Sequence, residues 1–458
     1  MKIHLSGVGG VAMGNLAAML KTIGHKVTGS DVPLYPPMSL QLKKWGIPVR
    51  EYSEKNIVTG AGKARADLYI IGNALSRGNP EVEAILNAGL PYTSMSAALK
   101  EFFLKDKQVI VVAGTHGKTT TSFLMDHVLT TAGKAPGLFV GGVRGDGMDG
   151  FRVSDSEHFV IEGDEYDTAF FDKHSKFLHY NPRRLIFTSM EFDHADIFRD
   201  FKDYKRAFER LLRIIPSRGL VAACKSEKNV RALLEDYKHA RLAWYGDKQD
   251  ALDADIAFTL SGRHNTLNAL GVRAAAEDLG ISRADFKLAL ETFPGVKRRQ
   301  QIRVDIQAAQ SEAPVTVVED FAHHPTAVRE TIAAMRKAYR GRAVHALFEP
   351  RSATSHRKLF QKTYVGALAR ADAVYIADIH NPGKVARDES LDVRRLTREI
   401  KAAGTPAFFG ATPADVLKSF RGKFRPSPKG DVVLVMSNGA FGNIYGELDD
   451  FVSGLVRR

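Results

Sequence analysis

The chain has one cysteine, Cys224, and two tryptophans among 458 residues. A lone thiol has no partner for an internal disulfide, which points to a reducing cytoplasm rather than an oxidising compartment. The ordinary role for Cys224 is that of a small buried hydrophobe. No apolar run approaches the roughly 20 residues that span a bilayer. The opening MKIHLSGVGG has a single early lysine and a short apolar run broken by glycines, so it is expected to form a first strand and not a secretory leader. Internal repeats and low-complexity segments are absent. So is a basic arm or tail: the net charge of +13 comes from 65 Lys and Arg interleaved with 52 Asp and Glu. Such a spread favours solubility, and a field that gathers small anionic substrates, over a nucleic-acid footprint.

What is present suffices for several cores. Hydrophobic residues make up 44% of the chain, and its length exceeds what one core usually serves, so two to four domains are expected. Residues 2–6 read as a buried strand, followed by a glycine turn, a helix over Met13–Ile23 and a second strand at His25–Thr28. The alternation continues through Leu68–Ile71 and Pro80–Ala88 to about Phe103, with Lys105–Lys107 as a linker. It restarts at Val109–Val112 and runs on through Phe159–Glu162, Leu185–Thr188 and Leu220–Ala223. A turn at Phe293–Gly295 and the basic cluster Lys297–Arg299 mark a second junction. Beyond it, Thr316–Glu319, Ala343–Phe348, Ala373–Ile376 and Val432–Met436 read as strands between helical stretches. The expectation is an α/β chain of three domains, at 1–106, 107–295 and 296–458.

Between a strand and a helix stands Ala113-Gly114-Thr115-His116-Gly117-Lys118-Thr119-Thr120-Thr121. Glycines let the backbone curl until its N–H groups face phosphate oxygens, and the helix adds its positive N-terminal end. Lys118 supplies charge for the terminal phosphates of ATP, and the Thr119 hydroxyl suits magnesium. The strict pattern asks for glycine at position 112, where this chain has Val112, so the loop is a variant. ATP binding is expected, while the loop alone leaves hydrolysis, kinase action and ligation open. Near the N-terminus, Gly7-Val8-Gly9-Gly10-Val11-Ala12, with Asp31 after the second strand, formally satisfies the dinucleotide fingerprint. With the ATP site elsewhere, the same nest and helix start suit the diphosphate of a UDP-sugar, with Ser30 and Asp31 within reach of the nucleoside.

GTHGKTTT resembles the ATP loop of the Mur ligases, and further motifs follow in the order that family shows. Glu162, in Val160-Ile161-Glu162-Gly163-Asp164-Glu165, matches a magnesium-binding glutamate, and His194, in Glu191-Phe192-Asp193-His194-Ala195-Asp196, matches a metal-binding histidine. Gly262-Arg263-His264-Asn265-Thr266-Leu267-Asn268-Ala269 resembles the segment whose asparagine and histidine hold ATP, which implicates His264 and Asn268. Arg299 matches an arginine just past the domain junction, and Asp320, in Asp320-Phe321-Ala322-His323-His324-Pro325-Thr326, an aspartate that reaches the ATP ribose. Asn73 and Ser76 are carried onto the UDP-sugar groove by the similarity of Gly72–Pro80. The carbamylated lysine of several family members has no counterpart, since Tyr204-Lys205-Arg206-Ala207-Phe208 places a phenylalanine there. The resemblance spans nearly the whole chain and is densest over residues 1–200 and 295–355. Glu319 stands where aspartate is common, Ala440 where glycine is common, and the stretch before Gly262 is short.

The resemblance implies a Rossmann-like N-terminal domain, a P-loop-type central ATPase domain and a Rossmann-like C-terminal domain. It also implies ATP and magnesium, and an amide bond made through an acyl phosphate. The stretches Tyr35–Ser39, Glu191–Phe198, Glu349-Pro350-Arg351-Ser352 and Ser437-Asn438-Gly439-Ala440-Phe441-Gly442 look most like the branch that serves bacterial peptidoglycan recycling. That branch joins UDP-N-acetylmuramate to the tripeptide L-alanyl-γ-D-glutamyl-meso-diaminopimelate. Arg351, Ser437 and Asn438 are then expected to hold the peptide, Arg351 as a carboxylate clamp. A monomer or weak homo-oligomer is expected, with neither nucleic acid nor membrane as partner. The rivals are addition of L-alanine to the same nucleotide sugar, a nicotinamide-dependent oxidoreductase built on the first glycines, which leaves GTHGKTTT unexplained, and a non-catalytic nucleotide switch.

Overall fold

The structure, a computed structural model, describes residues 1–34, 38–307, 314–386 and 388–457. Tyr35, Pro36 and Pro37, the start of one stretch that carries the resemblance, lie outside the described residues. Three large sheets succeed one another along the chain, and Asp167–Ala169 pairs with Asp172–Ser175 in a small antiparallel sheet of their own. The first is all parallel, in the order Val49–Arg50, Lys26–Ser30, Lys2–Ser6, Leu68–Ile71, Tyr92–Ser94. The second runs Arg241–Tyr245, Leu220–Cys224, Arg184–Phe187, Gln108–Ala113, His158–Gly163, Gly137–Phe139, Phe151–Arg152, with only the last strand antiparallel. The third runs Gln301–Ile306, Val315–Asp320, Asp431–Met436, Ala343–Phe348, Ala373–Ala377, Ala407–Gly410, its first strand antiparallel.

Parallel strands covered on both faces should be apolar throughout, and Asp431–Met436 is buried at every position. Alternation then sends Val432, Leu434 and Met436 into one core and Val433 and Val435 into the opposite one. Helices start where the sequence caps them: Asn79 accepts from the N–H groups of Glu81 and Val82 ahead of Pro80, and Asp200 accepts from Asp203.

The chain divides into two compact units. The first comprises Met1–Glu191, Asp200–Ala257 and Leu267–Phe293, and so holds the first two sheets. The second comprises Pro294–Arg458 together with two short stretches from mid-chain, Phe192–Arg199 and Phe258–Thr266. Those two stretches carry His194 and His264. Cys224 is buried, as its type suggests.

Candidate active site

In the first unit, the strand Gln108–Ala113 delivers the chain into the loop 114–117, and the helix Lys118–Thr131 leaves it. Val112 is fully buried in the sheet, opposite Glu162 in register, so the curled part of the loop begins only at Gly114. Two glycines are required here. Gly114 has φ +138°, and a Cβ on it would lie 2.3 Å from Thr188 Oγ1. Gly117 has φ +82°, and a Cβ there would fall 2.4 Å from Asn268 Oδ1. The close approach of Gly117 is thus what brings Asn268 to the loop. Gly117→Ala should raise the KM for ATP by roughly tenfold or more, since it combines a left-handed torsion with a clash; an unchanged ATP titration would remove Asn268 from the site.

The rest of the loop is held by the segment after Arg184–Phe187. Thr188 Oγ1 donates to the His116 carbonyl at 2.6 Å, the His116 N–H donates to Ser189 Oγ at 2.9 Å, and His116 Nε2 meets Glu191 Oε2 at 2.8 Å. Thr115 Oγ1 lies 2.8 Å from the hydroxyl of Tyr204, which donates onward to Glu165. Lys118 Nζ donates to the Gly114 carbonyl at 2.7 Å and pairs with Glu165 at 2.9 Å. Burial alone would lower the Lys118 pKa, but the carboxylates of Glu165, Glu162 and Asp164 outweigh it and hold the ammonium above its usual value. The charge expected to meet phosphate is therefore present throughout the neutral range. Thr119 Oγ1 donates to Glu162 Oε1 at 2.8 Å, and Glu162 Oε2 accepts from Gly141 N–H at 2.9 Å. Thr120, the last loop residue named from sequence, is buried.

Sequence reasoning missed Glu165, Tyr204, Ser189 and Glu191 as members of this network. The signal was present for Glu165, three residues past Glu162 in an acidic run, but only the fold shows that it is fully buried against Lys118.

Around the first glycine turn, the N–H groups of Gly7 and Val8 both donate to the Ser30 carbonyl, at 2.8 and 3.1 Å. Gly9 N–H donates to Asp31 Oδ2 at 2.6 Å, and the Tyr52 hydroxyl to Asp31 Oδ1 at 3.1 Å. Asp31 thus shapes the turn itself. Gly10 begins the helix Val11–Thr22 without a side-chain cap, and a Cβ there would meet open space. Asn73 and Ser76 lie on the neighbouring loop, joined to the turn by the Gly72 N–H on the Ser6 carbonyl, and Ser76 is exposed. Ser30 needs a correction: its side chain is fully buried and its hydroxyl donates to Glu81, so it is turned away from any nucleoside. By alternation Ser30 shares a face with the exposed Lys26 and Thr28, and it is buried because Glu81 and His4 close over that end of the strand.

In the second unit, His194 has a left-handed backbone, φ +53°, held by its N–H on Asp193 Oδ1 at 2.8 Å and Thr354 Oγ1 at 3.1 Å. Burial would raise the Asp193 pKa, but His194, His323, His324 and the Thr354 hydroxyl bring it below the usual carboxylate range. Asp320 accepts from Gln300 N–H at 2.8 Å and Ala322 N–H at 2.7 Å, and burial pushes its pKa up against the pull of Arg299. His264 Nε2 lies 3.0 Å from Gln300 Nε2, and the Arg299 guanidinium sits 4.7 Å from the Phe321 ring centre. His264, Arg299 and Asp320 are thereby gathered at the start of the third sheet. Arg351 lies across Gly439, where a Cβ would come 2.1 Å from its Nε, and Ser437 donates to Glu349 beneath.

Three family models match this chain in succession: Mur ligase family, catalytic domain, over residues 2–107; Mur ligase middle domain over 112–276; and Mur ligase, glutamate ligase domain, over 303–439. The UDP-N-acetylmuramate–L-alanyl-γ-D-glutamyl-meso-2,6-diaminoheptandioate ligase of Escherichia coli is 38% identical, covering 100% of this chain and 99% of that protein. A UDP-N-acetylmuramate–L-alanine ligase of Laribacter hongkongensis is 32% identical over 97% of each. Among solved structures, a murein peptide ligase from Psychrobacter arcticus superposes with a TM-score of 0.68 at 30% identity, covering 99% of this chain and 98% of that one.

Proposed function

As this chain belongs to the Mur ligase family, whose members form amide bonds at the expense of ATP, we propose that it joins UDP-N-acetylmuramate to the tripeptide L-alanyl-γ-D-glutamyl-meso-diaminopimelate in bacterial peptidoglycan recycling. The observation that carries the phosphoryl-transfer half is the loop itself, where a partly buried, charged Lys118 stands one residue from the Thr119–Glu162 pair. The acceptor is taken from the Escherichia coli relative, which acts on that tripeptide and matches from end to end.

The muramyl carboxylate attacks the γ-phosphorus of ATP, the bond to the bridging oxygen breaks and ADP leaves. The amine of the tripeptide then attacks the acyl carbon, loses a proton and displaces inorganic phosphate. Lys118 and the N–H groups of the loop neutralise the charge that moves during the first step. The donor set fits magnesium: neighbouring oxygens around an octahedral Mg²⁺ lie about 2.9 Å apart, and Thr119 Oγ1 and Glu162 Oε1 are separated by 2.8 Å. Magnesium held there would screen the β- and γ-phosphates, with His194 as the further ligand that the family resemblance supplies. His116, Asn268, His264, Arg299 and Asp320 are proposed to hold ATP. The turn at Gly7, Gly9 and Gly10, with Asp31, Asn73 and Ser76, is proposed for the UDP-sugar, and Arg351, Ser437 and Asn438 for the peptide. No helix among the described residues is long and apolar enough to cross a membrane, and the bacterial cytoplasm is the proposed site of action, with the enzyme a monomer or weak homo-oligomer.

The test is ADP release from purified protein with UDP-N-acetylmuramate and magnesium-ATP, offering the tripeptide or L-alanine in parallel. The expected result is release, with a new nucleotide-peptide mass, for the tripeptide. Reaction with L-alanine alone moves the protein to the biosynthetic branch, and silence with both overturns the substrate assignment.

A further inference from the structure

Arg298 and Gln300 both adopt left-handed backbone, φ +61° and +50°, on either side of Arg299. Non-glycine residues hold such torsions only where their surroundings over-determine them. Here the Arg298 carbonyl accepts from Phe321 N–H at 2.8 Å, its N–H donates to Gln301 Oε1 at 2.8 Å, and Gln300 N–H donates to Asp320 at 2.8 Å. The consequence is that the Arg298 side chain leaves the junction in a set direction. Its Nε donates to Glu319 Oε1 at 2.7 Å, and its Nη2 donates to the Ser437 carbonyl at 2.9 Å and to the Gly439 carbonyl. Glu319, itself buried, is braced from its other oxygen by Arg303 at 2.9 Å.

Two groups flank the loop gripped in this way. Across Gly439 lies the Arg351 guanidinium, whose Nη1 is 3.8 Å from Glu349 Oε1 and whose planar fork suits a further carboxylate. Asn438 Oδ1 is buried without a hydrogen-bond partner among the described residues, which suits an N–H donor. We infer that Arg298 is a positioning residue that shapes the Ser437–Gly439 loop for an incoming peptide carrying a carboxylate and an N–H donor. It does so from the same backbone knuckle that presents Arg299 and Asp320. The inference rests on the proposed function, in which this loop receives the peptide.

A planar guanidinium reaches a carboxylate and two carbonyls at once, whereas an ammonium is a point charge and an amide carries no charge. Arg298→Lys and Arg298→Gln are therefore compared with wild type in steady-state kinetics, varying ATP, UDP-N-acetylmuramate and the tripeptide in turn. The expected result is a rise of roughly tenfold in the KM for the tripeptide, the scale of one lost charge-assisted hydrogen bond, with kcat and the other two KM values within about twofold for the lysine variant. A KM for ATP that moves as far as that for the tripeptide, or a lysine variant with wild-type peptide kinetics, overturns it. If the wild type accepts L-alanine and not the tripeptide, the substrate proposal falls by itself, and the role of Arg298 is then judged by the same comparison on the KM for L-alanine.

Discussion

Lys118→Ala is expected to reduce turnover by roughly a hundred- to a thousandfold, the usual loss when one group that stabilises transition-state charge is removed. The same substitution takes away the ammonium that the fully buried Glu165 pairs with at 2.9 Å. Breaking a buried pair from one side costs about 3–5 kcal/mol, so a drop in activity could be confused with a drop in folded protein. The two effects separate in the double variant Lys118→Ala with Glu165→Gln, where both members of the pair are uncharged. There the denaturation midpoint should recover towards wild type while turnover stays low. Turnover near wild type in either variant would remove Lys118 from the chemistry.

A second large effect is expected from Glu81, far along the chain from the first strand but buried beneath its end. It accepts hydrogen bonds from Ser6 Oγ, Ser30 Oγ, Asn56 Nδ2 and Ser53 N–H, and His4 Nε2 lies 3.5 Å away. Burial would raise its pKa, but these donors more than compensate, and the carboxyl is held down to about 2 from 4.5. A folded pKa below the unfolded one means stabilisation that is complete above pH 4.5 and lost as pH falls towards 2. The shift corresponds to something on the order of 3 kcal/mol. Glu81→Ala, which leaves several buried donors without an acceptor, should lower the urea midpoint at neutral pH. Glu81→Gln should flatten the decline of stability across the acid range, because nothing is left to protonate. The serine hydroxyls can reverse to accept from its amide, so this variant should retain more stability than alanine. An alanine variant as stable as wild type would mean that this polar cluster does not anchor the turn.

Much of the fold was readable because its strands are long, parallel and apolar. Lys2–Ser6, Leu68–Ile71 and Ala343–Phe348 have the same limits in the structure as in the hydrophobic pattern, and the remaining expected strands differ by one or two residues at their ends. Edge strands escaped. Gln301–Ile306 carries Arg303 and Asp305 among its apolar residues, and Arg241–Tyr245, although Leu242–Tyr245 is apolar, is a short run of which only Tyr245 is buried. The glycine loop between the strand Gln108–Ala113 and the helix Lys118–Thr131 was legible as well, since glycines at such a strand-to-helix turn are demanded by backbone geometry.

Side-chain partners were another matter. In sequence Glu81 is an acidic residue in the first turn of a helix, an ordinary response to the helix dipole, and Ser30 is a polar residue at a strand end, open to a nucleoside. The fold turns each towards the other. Likewise Arg298 and Arg299 are neighbours of one type whose guanidinia both lie by the Phe321 ring, and nothing in the sequence tells that Arg298 reaches on to Glu319 and the 437–439 loop. Periodicity and glycine torsions depend on residues within a turn or two of each other, so the order of residues determined the α/β elements, the three large sheets and the glycine loop. Which buried charge meets which partner depends on segments tens to hundreds of residues apart. That was decided only when packing took water away from those groups and left each to find a partner inside the protein.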